Sequence, residues 1–479
     1  MGQLTSSYFA YTCEGNENSK CINNNNNNSK NLITNKEEIE KENKKNLNKN
    51  TFPLLGNGKF NVGCSDIMIL PSEECCSNIN NEEKCKGIFA RIYYPSEDQN
   101  NDKFTPEKLN EYIPWKPDEK VIEGLAAYRG MSPWKLNLIF DWMIGDKRIP
   151  VRWQVPIKKS EEQFPVIVFS HGISGTRHLY SINCASLSSH GYVVAALEHR
   201  DGSACYTYEL NKDKSTGDLI QNPIQLKKLP HKEEEFESRI AQIKHRVKET
   251  IQMLNLFNKL NEGLRNSNVE IVFGNEFDWE QFKGRLNVDK AISIGHSFGG
   301  ASALTSCAVQ KAFECCVVMD AWLYPFESKH YEEITQPVLM LNASKWQWPM
   351  NVKRLLHLQE QNGGNDKYMY TLTDIVHQSF SDLGLLYPGR IGRYMGFQGQ
   401  HDPEYLANII MQLTIKFIED PFNSKEKLKE LVETLNCPVL IEGTDIPKEK
   451  LDEISFDLAE NHSSMIGENE ERILHEGGE

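Results

Sequence analysis

Six short apolar runs, at 165–170, 192–197, 291–294, 315–319, 337–341 and 369–372, constrain this chain more than any other feature. Each is too short for a core helix and lacks polar alternation, so each reads as a strand buried on both faces, as in a parallel sheet. Between the second and third lies a segment with Phe236, Ile240, Ile243, Val247, Ile251, Leu254 and Phe257 spaced by three or four. That spacing lays an apolar stripe along one side of a helix, which must pack on the sheet. Strands alternating with helices predict an α/β fold: a mainly parallel central sheet flanked by helices, with functional side chains at the carboxyl ends of the strands.

The alternation occupies only the middle of the chain. Residues 21–50 are almost all Asn, Lys and Glu, too poor in apolar side chains to offset ordering entropy, and the far end is again polar and acidic. The expected organisation is a disordered segment at 1–50, a catalytic domain at 51–440 and a flexible acidic tail at 441–479. With 39% hydrophobic and 25% charged residues the whole resembles a soluble globular enzyme. A formal net charge of -14 repels a phosphate backbone, so nucleic acid is not an expected partner. No stretch approaches the length of a membrane span and the first residues lack the apolar core of a secretory signal, which predicts a cytoplasmic protein. Consistent with that compartment, Cys184, Cys307, Cys315 and Cys316 sit inside apolar runs and read as free buried thiols. Cys75, Cys76 and Cys85 read as an ordinary reduced loop, with metal binding or mutual pairing as the alternative.

Chemistry is concentrated after the run at 291–294. There Gly295-His296-Ser297-Phe298-Gly299-Gly300 leads into Ala301 to Leu304, which look helical, giving strand, sharp turn and helix. This is the G-x-S-x-G elbow of α/β-hydrolases, in which small residues flank a serine pushed out of a strained turn. A serine hydroxyl is a poor nucleophile at neutral pH and needs a histidine base oriented by an acid. The run at 315–319 ends at Asp320, one strand–helix unit after the elbow, whereas the next run ends at Asn342 and Ser344 with no carboxylate. Asp320 is therefore the expected acid, and Asp374 its rival. His377 follows the last run and is the expected base, with His401 as competitor. For the oxyanion hole, Phe298 offers the N–H just after the nucleophile, and the loop 169–175 offers a second at Ile173. The chemistry calls for no cofactor and no metal.

These segments resemble the platelet-activating factor acetylhydrolases, the calcium-independent lipoprotein-associated and cytosolic type II phospholipases A2. The resemblance lies in Val168 to Gly172, in Ser189 to Ala196 with Glu198, His199, Arg200 and Asp201, and in three motifs around the expected triad. Those motifs are Gly295 to Gly300, Met319-Asp320-Ala321-Trp322 with Pro325, and Val376-His377-Gln378 with Phe380. It covers 51–440 and implies Ser297 as nucleophile, Asp320 as acid, His377 as base, and Ile173 and Phe298 as oxyanion donors. It further implies glycerophospholipid substrates with an acetyl, other short or oxidised chain at sn-2. The Cys-containing stretch 75–85 and the absence of a secretory signal depart from the secreted branch. A general carboxylesterase or lipase, and a catalytically silent scaffold, are the alternatives to this activity.

Two further features concern lipid. Met1-Gly2-Gln3-Leu4-Thr5-Ser6 fits the N-myristoylation pattern, which would acylate Gly2 and attach the protein peripherally to membranes. The segment 133–144, with Trp134, Leu138 and Phe140, and the segment 391–397, with Ile391 and Met395, are expected to rest on lipid, as helices at matching places do in related enzymes. Burial against the sheet is the alternative for both. The sequence does not specify an oligomeric state.

Overall fold

Short, mainly apolar runs rich in Val, Ile, Leu and Phe form the centre of a twelve-stranded sheet, because only residues content on both faces can sit there. The computed structural model describes residues 50–70, 87–97, 106–213, 215–227, 232–361, 366–387, 389–394 and 397–454. Its strands are β1 (Val62–Ile69), β2 (Ile88–Pro95), β3 (Tyr112–Pro114), β4 (Arg148–Trp153), β5 (Phe164–Ser170), β6 (Val193–Leu197), β7 (Tyr206–Lys212), β8 (Leu219–Gln225), β9 (Ile271–Phe273), β10 (Leu286–His296), β11 (Phe313–Met319), β12 (Val338–Ala343), β13 (Lys367–Leu372) and β14 (Leu440–Glu442). The longer helices are α1 (Glu119–Tyr128), α2 (Pro133–Met143), α3 (Ser181–Ser189), α4 (Lys232–Glu262), α5 (Phe298–Val309), α6 (Pro349–Glu360), α7 (Pro403–Ile418) and α8 (Ser424–Leu435).

Sheet order is β14-β13-β12-β11-β10-β5-β6-β2-β1-β4-β3, with β9 beside β1, while β7 and β8 form a separate hairpin. From β13 to β6 all neighbours are parallel. The six apolar runs fall in β5, β6, β10, β11, β12 and β13, and the amphipathic segment is α4, whose Ile240, Ile243, Val247, Leu254 and Phe257 are buried. Helices α4 and α5 pack on each other and on β10, and α3 packs on β6. This mostly parallel sheet with flanking helices is an α/β-hydrolase fold.

Antiparallel pairing extends the sheet where the sequence reading placed no strand. β1 pairs with β2, and β2 with β6, both antiparallel. Their apolar runs are interrupted by Asp66 and Arg91, which the fold buries as a pair: Arg91 Nε donates to Asp66 Oδ1 at 2.6 Å. Arg177 adds Nη2 to Asp66 Oδ2 at 3.1 Å and Nη1 to Glu198 Oε2 at 2.7 Å. At the other edge β14 pairs antiparallel with β13, and a short helix, Lys448–Asp452, packs on α6. The boundary expected at 440 therefore falls inside a strand, and 441–454, expected in a flexible tail, is folded. The disorder expected at 1–50 and in the rest of the tail lies outside the described residues, apart from residue 50, as do Gly2, Cys75, Cys76, Cys85 and Met395. Cys184, Cys307, Cys315 and Cys316 are free and buried. Among the described residues no helix is long and apolar enough to cross a membrane, and no cluster of three His, Cys, Asp or Glu is placed to hold a metal ion.

Candidate active site

Strand β10 runs to His296 and α5 begins at Phe298, leaving Ser297 alone to turn the chain, at φ 58° and ψ -123°. Such backbone is costly for a residue with a Cβ and persists only where its surroundings enforce it. Here Ser297 N–H donates to Met319 O at 2.9 Å, and its carbonyl accepts from Trp322 N–H at 3.0 Å, stitching the elbow to the end of β11. The two elbow glycines are steric requirements. A Cβ on Gly295 would lie 2.0 Å from Gly299 O, and one on Gly299 would lie 2.1 Å from Ser170 O.

The stitch brings Asp320 alongside, itself at φ 48°. Asp320 Oδ1 accepts Ala343 N–H at 3.0 Å, which leaves Oδ2 for His377 Nδ1 at 2.7 Å. His377 arrives from the turn after β13, and its ring lies 4.4 Å from that of His296, the residue before Ser297. The ring it stacks on is that of Trp346, in the turn after β12, with centroids 3.7 Å apart and planes 17° from parallel. Burial pulls the His377 imidazole down to about 3, so the ring rests neutral and can accept a proton. Burial also pushes the Asp320 carboxyl up, opposed by the Ala343 N–H. The rivals Asp374 and His401 are paired with each other, Oδ2 to Nδ1 at 2.6 Å.

The loop after β5 passes against the elbow: a Cβ on Gly172 would lie 3.1 Å from Ser297 Cβ. Gly172 O accepts from Gly175 N–H at 3.1 Å and from His171 Nδ1 at 2.7 Å. Because the peptide is planar and trans, fixing that carbonyl fixes the Ile173 N–H in the opposite direction. His171 holds one tautomer, since His199 N–H donates to its Nε2 at 3.2 Å and leaves the proton on Nδ1. Phe298 is the first residue of α5, so its N–H has no partner within the helix. An oxygen bearing developing negative charge is the ligand such donors suit.

A strained serine at a strand–helix elbow and a buried His–Asp pair near it suit hydrolytic chemistry, and similarity to known proteins gives the family. The profile of platelet-activating factor acetylhydrolase, isoform II, matches residues 45–436. The chain belongs to this family. It is 33% identical over 392 residues to the platelet-activating factor acetylhydrolase of Canis lupus familiaris, covering 81% of this chain and 80% of that one. The Gallus gallus acetylhydrolase is 31% identical over 403 residues, 82% of this chain and 89% of its own. A putative phospholipase A2 of Schizosaccharomyces pombe is 23% identical over 434 residues, 79% of this chain and 92% of its own. This acetylhydrolase-family chain is thus a carboxylic-ester hydrolase of a family whose substrates are phospholipids.

Among the lipid-facing candidates, Trp134 and Leu138 are 65% and 61% exposed on α2. Phe140 is not: it is buried edge-on against Trp115, because it lies on the inward side of the helix with Leu136. Trp142, four residues after Leu138, is the exposed aromatic instead, at 70%. Ile391 is half-buried. Sequence reasoning gave His171 no role beyond its place in the loop 169–175, and it missed Trp346 and Arg246, whose Nη1 donates to His171 O at 2.6 Å. For Arg246 a signal existed: a charge set within the apolar stripe of α4, beside Val247.

Proposed function

We propose that this acetylhydrolase-family chain is a serine esterase that hydrolyses the acetyl, other short or oxidised sn-2 ester of glycerophospholipids. Ser297 Oγ attacks the ester carbonyl carbon while its proton passes to His377 Nε2. Negative charge gathers on the carbonyl oxygen, facing the N–H groups of Ile173 and Phe298. As the tetrahedral intermediate collapses, the lysophospholipid oxygen leaves with the proton from His377. Water then attacks the acyl-serine, giving its proton to His377, and the fatty acid departs as Ser297 regains a proton. Asp320 orients the imidazole and stabilises its charged form. The observation that carries this reading is the 2.7 Å Asp320–His377 bond beside a serine held in an elbow.

Ser297→Ala is expected to abolish esterase activity and labelling by a fluorophosphonate probe while leaving the fold intact. Full activity in that variant overturns the assignment. Comparing a short sn-2 phosphatidylcholine with a long-chain one and with p-nitrophenyl acetate tests the substrate. Equal turnover of both lipids favours a general carboxylesterase or lipase, and no turnover or labelling at all a silent scaffold. The proposed setting is a cytoplasmic lipid surface, reached through the exposed side of α2 and a myristoyl chain on Gly2. Mass spectrometry of the N-terminus tests the acylation, and a free or acetylated terminus rules it out.

A further inference from the structure

Rings as well as Asp320 pack against His377. The Trp346 indole is 5% exposed and lies nearly parallel to the imidazole at 3.7 Å, itself backed by Trp348 at 4.2 Å. We infer that Trp346 is a positioning residue for His377, its indole face holding the imidazole toward Ser297 and stabilising the imidazolium that forms when the serine is deprotonated. The inference rests on His377 being the base of the proposed triad. A cation is attracted to an indole face, most strongly where water is excluded, whereas a neutral imidazole gains little. The contact is therefore stronger in the transition state than in the resting enzyme, which is the kind of contact that raises kcat.

Among the described residues, the charged and titratable groups against His377 are Asp320, at the end of β11, and His296, at the end of β10. His296 does not compete for the proton. Burial keeps it neutral, and its Nδ1 is bonded to the Tyr180 hydroxyl at 2.8 Å. Three residues upstream of His377, Asp374 is occupied by His401 at 2.6 Å and by Lys345 at 3.9 Å.

The sign of a pH shift separates this role from mere packing. Burial lowers the His377 pKa, so a variant that only loosens the site and admits water moves it up. Loss of the indole face removes stabilisation of the charged form and moves it down. With the full chain and p-nitrophenyl acetate, Trp346→Met is expected to lower kcat roughly 3- to 30-fold with KM near wild type. The acid limb of its kcat/KM profile should fall by about half to one and a half pH units. Trp346→Phe keeps a ring face and should retain kcat within a few-fold. Site-specific fluorinated tryptophan at 346, which weakens the ring face without changing its shape, should lower the limb stepwise even if Trp346→Met fails to fold. An unmoved or raised limb in the fluorinated protein, or an equal loss in Trp346→Phe and Trp346→Met, overturns the inference. Ser297→Ala in the same assay tells the two failures apart, since turnover there removes the triad reading itself.

Discussion

Among the described residues, Asp320 after β11 and Asp374 after β13 are each paired with a histidine, and their surroundings separate them. Asp320 is 3% exposed, bonded to Ala343 N–H and to a histidine whose ring lies 4.4 Å from that of His296 at the elbow. Asp374 is paired with His401, whose side chain is 41% exposed, and it also accepts the His401 backbone N–H, so it braces the turn that carries His377. Asp320→Asn is therefore expected to cost about 10⁴-fold in kcat, the loss typical of forcing a triad histidine into the wrong tautomer. Asp374→Asn should cost far less. Steady-state kinetics of the two variants settles the choice, and the large loss appearing at Asp374 would reverse it. The sequence made Asp320 the better candidate because carboxylates at strand ends can be ordered along the chain. It gave no view of Trp346, since a tryptophan beyond a strand reads as core until the fold brings the His377 turn against it.

At the scale of elements, legibility followed the hydrophobic pattern. Strands β5, β6 and β10 to β13 each carry a short, mainly apolar run and were readable, although their ends were set by pairing and capping that the pattern does not encode. Strands β1 and β2 escaped because Asp66 and Arg91 interrupt them, and polar residues there make sense only once the network with Arg177 and Glu198 is assembled. Burial alone would raise the Asp66 carboxyl, but the Arg177 and Arg91 guanidinium groups outweigh it and hold the group well below the usual carboxylate range. A carboxylate depressed by folding stabilises the native state above its ordinary pKa of 3.8, and that contribution is lost as pH falls from there through the folded value. Asp66→Asn, which removes the carboxylate charge that two buried guanidinium groups share, is expected to destabilise the protein by about 3–5 kcal/mol at neutral pH. Urea denaturation should show this difference holding steady down to the ordinary carboxylate pKa and narrowing in stronger acid. A difference already lost near neutrality would mean that another group supplies the stability.

For the molecule as a whole, the question is how a hydrolase whose proposed triad is buried would meet the proposed substrate in a lipid layer. Helix α2 is the proposed means. Trp134, Leu138 and Trp142, spaced by four residues, form one apolar ridge facing outward, while Leu136 and Phe140 anchor the other side. The anchoring runs toward the chemistry: Phe140 packs on Trp115, whose Nε1 donates to Asp382 Oδ2 at 2.8 Å, and Asp382 follows the turn that holds His377. Asp382 Oδ1 also accepts Ile182 N–H at the start of α3, so ridge, base loop and sheet are braced together. Interfacial helices favour Trp and Leu, and a single myristoyl chain binds membranes only marginally without a second contact. Trp134→Ala with Trp142→Ala is accordingly expected to weaken co-sedimentation with phosphatidylcholine vesicles severalfold and leave turnover of dispersed p-nitrophenyl acetate unchanged. Phe140→Ala should instead lower thermal stability, as loss of a buried aromatic does, by about 3–5 kcal/mol. If the double variant sediments like wild type, the ridge is not the docking surface. If it loses soluble-ester turnover as well, the ridge supports the site from within and does not lead the enzyme to lipid.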